Sequence, residues 1–293
     1  VNLSLGGPDT PGADPLERAV DTLSAQSGAL FVVAAGNEGE RGQQTIASPG
    51  SADAALTVGA VDDRDAVAAF SSRGPRVGDH ALKPDVTAPG VDITAAAATA
   101  TGAGPYLAMT GTSMATPHVA GAAALLAQRH PGWTGRRLKA ALMNTARPSA
   151  GETPFTQGAG RVDVARAVSQ QVTASTGSVS GRLRWPRRTP VTRTVTYANT
   201  GSRPVTLSLR TSGSRLGGGS APKGMFTVGR TRVTVPAKGT VRVPVRIAAG
   251  RRAATGTYSG VLTARGRNVT VRTAMAAEVS APQARRAPAW AVA

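Results

Sequence analysis

The eleven residues from Gly111 to Gly121, GTSMATPHVAG, set a serine where a glycine-bearing loop runs into a helix. Gly111 lets a substrate backbone come close, and Ala115 and Gly121 leave room for tight packing. Ser113 falls near the helix N-terminus, where free N–H groups and the helix dipole favour developing negative charge. Those conditions suit acyl transfer, whose tetrahedral intermediate carries an oxyanion. A serine hydroxyl also needs a base, and the base an orienting acid. None of the three histidines is assigned that role. His118, five residues on, is turned about 140° around the same helix. His80 sits in a polar loop, and His130 precedes Pro131 at a helix end. Asp62, Asp63 and Asp65 cluster as metal ligands do, but read better as a solvated turn. Met114 adjoins the serine and is a candidate for oxidation.

The elements that must hold Ser113 alternate between strand and helix. VNLSL (residues 1–5) is short and apolar and ends in Gly6-Gly7-Pro8, a turn signal. From Asp14 to Ser27 the residues Leu16, Ala19, Val20 and Leu23 fall at helical spacing, with Asp14 as cap and Pro15 as the first helical residue. ALFVVAA (29–35) and LTVGAV (56–61) are continuous apolar runs, as strands buried on both faces should be. Strand, helix, strand predicts right-handed crossovers and a parallel sheet flanked by helices. Helices are expected from Ser113 to about Arg129, then with Leu138, Ala141 and Leu142 on one face, then near 162–168. After residue 170 the pattern changes to short alternating strands. Val241, Val243, Val245 and Ile247 face one way and Arg242 and Arg246 the other, and two strands flank the turn at 265–268. That predicts a small antiparallel β-sandwich.

The 293 residues exceed the roughly 250 of a single compact domain. The expected division is 1–170 for the α/β part, 171–280 for the sandwich and 281–293 for a disordered Pro/Ala/Arg tail. Charge divides at the same place. Residues 1–170 hold 13 Lys/Arg and 15 Asp/Glu, whereas 171–293 hold 21 Lys/Arg and one acid, Glu278. A surface this basic reads first as a solvated outer face, and second as attachment to an anionic polymer, such as one at a cell surface, which would make the chain a binding protein with no catalysis of its own. Nucleic acid is disfavoured, because no aromatic platform accompanies the charge. The absence of cysteine excludes a disulfide scaffold, a thiolate zinc site and a cysteine nucleophile. No apolar run reaches the roughly 18 residues of a membrane span. The chain starts at Val1 inside an apolar segment, so a fragment or processed product is expected, and with it aggregation or partial folding in isolation.

The block around Ser113 resembles the nucleophile block of the subtilisin-like serine proteases (subtilases). VNLSLGGP resembles that family's substrate-binding strand, and VVAAGNEG (32–39) its oxyanion block. VGAVDDRDAVAAFSSRGP and KPDVTAPG resemble its connecting segments. The resemblance runs from Val1 to about Val168 and implies an N-terminally truncated subtilisin-like α/β fold. It implies Ser113 as nucleophile, with the Asn37 amide and the Ser113 N–H as oxyanion hole. It further implies that the Ser4-Leu5-Gly6 backbone pairs with a protein or peptide substrate. Ala34, Ala35 and Gly36 would face the side chain before the scissile bond, and Glu38 would tune its charge preference. No cofactor is required for such catalysis, and a structural calcium is allowed but has no motif to place it. The sandwich resembles a fibronectin-type accessory domain, and the setting implied is extracellular or cell-surface. In the family the triad runs Asp, His, Ser. No block of the H-G-T-H or D-S/T-G type exists in this chain, so it is expected not to hydrolyse peptides alone.

Overall fold

The computed structural model describes residues 1–98, 104–186, 188–250 and 253–281. The tail expected to be disordered lies, beyond Ala281, outside the described residues. Asn2–Leu3 (β1), Val32–Ala34 (β2), Leu56–Val61 (β3) and Val86–Pro89 (β4) form one sheet in that order, parallel throughout. Every residue of β2 and β3 is buried, which is why both read as unbroken apolar runs. On one face Val33 packs with Val20 of Pro15–Ser27 (α1). On the other, Val32, Val58 and Val86 pack with Val119 and Leu126 of Thr112–Arg129 (α2) and Leu142 of Gly135–Thr145 (α3). Pro154–Gln157 (α4) and Val164–Ser169 (α5) complete the helices. The helix-flanked parallel sheet is therefore present.

Of the expected apolar stripe of α1 only Val20 is packed. Leu16 and Leu23 are 57% and 49% exposed, and Ala19 is exposed too, while Glu17 and Val20 are buried. Polar bonds fix this rotation. Asp14 and Glu17 close a capping box through Glu17 N–H to Asp14 Oδ1 (2.9 Å) and Asp14 N–H to Glu17 Oε2 (2.7 Å). Asp14 Oδ2 also accepts from Ser48 Oγ (2.5 Å), and Asp21 Oδ1 accepts from Ala54 N–H (2.8 Å). These bonds turn the Asp14, Glu17 and Asp21 side toward residues 48–54.

A hairpin that the sequence pattern does not announce, Ile93–Ala96 (β5) against Tyr106–Met109 (β6), stands beside the start of α2. The second part of the chain is a sandwich. Val172–Ala174 (β7), Val191–Asn199 (β9), Phe226–Val228 (β11) and Thr240–Ile247 (β13) make one sheet. Ser178–Leu183 (β8), Val205–Arg215 (β10), Arg232–Val235 (β12), Gly256–Arg265 (β14) and Thr270–Val279 (β15) make the other. All neighbours in it are antiparallel except β8 and β15, which run parallel. Its core, with Tyr197, Leu207, Val243, Tyr258 and Leu262, is separate from that of the α/β part.

The two parts meet at β15, where Ala274 and Ala276 pack on Leu82 and Phe155. Buried Asn144 donates to Thr176 O (3.1 Å) and Arg272 O (2.9 Å) and accepts from Ala174 N–H (2.7 Å).

Candidate active site

Three struts converge on the first turn of α2. β4 leads into Gly90, whose carbonyl accepts from Gly111 N–H (2.8 Å). β2 leads through Ala35 and Gly36 to Asn37. The Asn37 Oδ1 accepts both the Thr112 N–H and the Thr112 hydroxyl, each at 2.9 Å. A backbone N–H can only donate, so the amide oxygen must face Thr112 and the NH₂ must face away from it. Asn37 is exposed, and its Nδ2 has no acceptor among the described residues. Neither has the Ser113 N–H, one of the free donors of a first helical turn. The third strut is the strand exit after β1. Ser4 Oγ donates to Ser113 O (2.8 Å), and Ser113 Oγ donates to Ser4 O (3.2 Å).

Ser113 borders two clefts. One, of about 570 Å³, is lined by Leu5, Gly6, Ala34, Gly36, Asn37 and Ala47, among others. The other, of about 580 Å³, is lined by Leu107, Met109, Met114, Pro117 and His118 with β5. Of the residues singled out from the sequence, Ser113, Asn37, Leu5, Gly6, Ala34 and Gly36 come together at the first cleft. Ser4 adjoins it through its bonds to Ser113. Ala35 does not line it: the residue is fully buried, its N–H bonded to Val58 O and its carbonyl to Ala47 N–H. Glu38 does not stand alone at the rim, because Arg41 Nε pairs with its carboxylate at 2.7 Å. Asp9 also borders the cleft, and burial together with Glu17 pushes its carboxyl up to about 6.

Gly36 has φ +104°, and a Cβ there would lie 2.8 Å from Ser72 Oγ and 3.0 Å from Ala47 Cβ. Ser72 and Thr112 are site residues that the sequence reading passed over. Ser72 Oγ accepts from Glu38 N–H (3.1 Å), and Thr112 Oγ1 accepts from Gly36 N–H (3.3 Å). Thr112 lies inside the GTS block, so its neighbour was the available signal.

No described histidine bonds to Ser113. His118 Nδ1 lies 2.9 Å from Met114 O, His80 faces Glu278, and His130 stacks on Trp133 at 3.9 Å. Asp62 Oδ1 accepts from the N–H groups of Arg64 and Ala66, and Asp65 pairs with Arg161. Among the described residues no group of three or more His, Asp or Glu side chains is arranged to hold a metal ion.

A buried charge network supports β4. Lys83 and Asp85 are 3% and 1% exposed. Asp85 Oδ2 receives Lys83 Nζ (2.9 Å), Lys139 Nζ (3.1 Å) and Thr57 N–H (2.9 Å). The two ammoniums hold the Asp85 carboxyl below the usual carboxylate range against the effect of burial. Desolvation, only partly offset by Asp85, brings Lys83 down to about 7.

Residues 1–160 match the subtilase family, peptidase S8. Over 192 residues the chain is 40% identical to serine protease AprX of Bacillus subtilis (strain 168), which covers 58% of this chain and 43% of that protein. Over 147 residues it is 44% identical to subtilisin of Bacillus pumilus, covering 50% and 48%. Over 146 residues it is 40% identical to subtilisin BL of Lederbergia lenta, again 50% and 48%. The chain thus spans under half the length of these curated relatives. With more than half of its own length matched by the family and the helix-flanked parallel sheet in place, the chain belongs to the subtilases, a family of serine peptidases.

Proposed function

We propose that these residues carry the nucleophile and the oxyanion hole of a serine endopeptidase that acts outside the cell or at its surface. Ser113 attacks the scissile carbonyl of a protein or peptide substrate. Asn37 Nδ2 and the Ser113 N–H receive the oxyanion, and the cleft bounded by Leu5, Ala34 and Gly36 takes the side chain before the scissile bond. The observation that carries this reading is the pair of unclaimed donors, Asn37 Nδ2 and Ser113 N–H, beside the serine hydroxyl. The hydroxyl donates to Ser4 O, not to an imidazole. In this reading its base and orienting carboxylate come from chain outside these 293 residues. In the same reading 1–170 and 171–280 are separate domains, the second an accessory sandwich of fibronectin type.

Two experiments test this. Reading the coding sequence upstream of Val1 should find, in frame, an Asp block followed by a His block; a start codon at Val1 would refute the reading. The purified 293-residue chain should leave casein intact. Cleavage that disappears in Ser113→Ala would show that a base lies within these residues after all.

A further inference from the structure

The outer face of the five-stranded sheet carries an array of arginines that catalysis does not use. Along one row across the strands lie Arg232, Ser208, Arg265 and Thr270, and along the next Arg210, Thr263 and Arg272. The alternate residues Leu207, Leu209, Val233, Leu262 and Val271 point into the core, so these seven share the opposite face. Sheet geometry puts arginines two strands apart at about 10 Å and the rows about 7 Å apart. Arg166, reaching over from α5, donates to Thr270 O at the border of the array.

None of the guanidiniums of Arg210, Arg232, Arg265 and Arg272 has a hydrogen-bond or ion-pair partner among the described residues. Arg272 is only partly exposed, and its charge is disfavoured by burial first and then by Arg166 and Arg265. The acid on β15 and the acid that caps α5 are engaged elsewhere. Glu278, at the other end of β15, is held by Arg182 Nε (2.5 Å), and Asp163 Oδ1 accepts the Arg166 N–H (3.0 Å) that starts α5. A self-repelling group of cations with no counter-charge is one that an anion relieves.

We propose that this face binds a linear phosphodiester polymer that lacks nucleobases. An array that runs across four strands is wider than one small anion, and its spacing suits successive phosphates of an extended chain. The planar guanidinium fork suits phosphate oxygens, and the interleaved Ser208, Thr263 and Thr270 hydroxyls are further donors. The array itself gives bases nothing to stack on: Tyr197, Phe226 and Tyr258 are buried in the sandwich, and the exposed Trp185, beyond β8, already has Arg188 over its ring.

The test is fluorescence anisotropy with the full 293-residue chain and a labelled glycerol-phosphate dodecamer. The logarithm of the association constant should fall with log salt at a slope of about −3, as four phosphate contacts on a single strand give. R210Q/R232Q/R265Q/R272Q should lose at least about 100-fold in affinity. R193Q/R203Q/R242Q/R246Q, with the same charge change elsewhere on the sandwich, should stay within about threefold. Melting curves check that each variant folds. If the first quadruple does not, R210Q/R265Q and R232Q/R272Q should each lose about tenfold. Absence of binding, equal losses in both quadruple variants, or tighter binding of oligo(dT) or of phosphatidylglycerol vesicles would overturn the proposal.

Discussion

Replacing Lys83 with methionine should change how stability responds to pH far more than stability itself. Lys83 Nζ donates to Ala55 O (2.9 Å), Thr57 Oγ1 (2.7 Å) and Asp85 Oδ2 (2.9 Å) inside the protein. Lys139 already serves two of those acceptors, Ala55 O at 2.6 Å and Asp85 Oδ2 at 3.1 Å. Methionine keeps the volume and removes a charge that is costly to bury, so the loss at pH 7 should stay below about 1.5 kcal/mol. Asp85→Ala is the contrasting case. It takes the shared acceptor from Lys83 Nζ, Lys139 Nζ and the Thr57 N–H inside the protein, at a cost of about 3–5 kcal/mol. The pH dependence follows from Lys83 titrating near 7 when folded and at 10.5 when unfolded. Between those values the unfolded chain binds the extra proton, so stability rises with pH across that window. Each unit is worth about 1.4 kcal/mol, so between pH 7 and 9 the wild type should gain about 2 kcal/mol relative to Lys83→Met. Urea unfolding of both proteins at the two pH values measures the difference. A constant difference, or a Lys83→Met loss as large as that of Asp85→Ala, would refute the reasoning.

Three further outcomes follow from the same geometry. Asn37→Asp keeps the acceptor for Thr112 but loses the Nδ2 donor, so melting should barely change while labelling of Ser113 by a fluorophosphonate in the complete enzyme falls. In subtilisin, removal of its oxyanion-hole asparagine donor costs about 10²–10³ in kcat. Gly36→Ala should destabilise by about 1–3 kcal/mol, read by urea unfolding, because its φ of +104° and the 2.8 Å approach to Ser72 Oγ both oppose a Cβ. Asn144→Leu leaves Thr176 O, Arg272 O and Ala174 N–H without their partner, at roughly 3 kcal/mol or more. Calorimetry should then show the sandwich and the α/β part unfolding at temperatures further apart than in the wild type.

Elements with a buried, unambiguous pattern were legible in the sequence. The runs at 29–35 and 56–61 became β2 and β3, and the alternation over 240–247 put Val243, Val245 and Ile247 in the core. What escaped was set by partners distant in sequence. α1 looked amphipathic about Leu16, Ala19, Val20 and Leu23, yet Ser48 and Ala54 turn its polar side inward and only Val20 of the four is buried. β8 has no local mark of running parallel to β15, ninety residues on. Four-residue strands such as β5 and β6 are too short for alternation to speak. At the site, the Ser113 block and Asn37 were visible as a resemblance. Thr112, which locks them together, is legible only once its hydroxyl is seen between Gly36 N–H and Asn37 Oδ1.

That hydroxyl bears on how the proposed chemistry divides. Thr112 fixes the Asn37 amide, Gly90 fixes the Gly111 turn, and the Lys83–Asp85–Lys139 group anchors the strand that leads into Gly90. These contacts join the ends of β2 and β4 to α3 and to the N-terminal turn of α2, and none involves a proton acceptor for Ser113. Under the proposed reading, electrostatic stabilisation is preorganised by residues wholly within this chain, whereas proton transfer depends on groups brought from elsewhere. Preorganised donors need no reorganisation when charge develops, which is what makes them effective. The oxyanion hole therefore does not need the base in order to form. The Ser113 hydroxyl, bonded at 3.2 Å to a carbonyl of the strand expected to receive substrate, is the one part of the site whose partner must change before reaction.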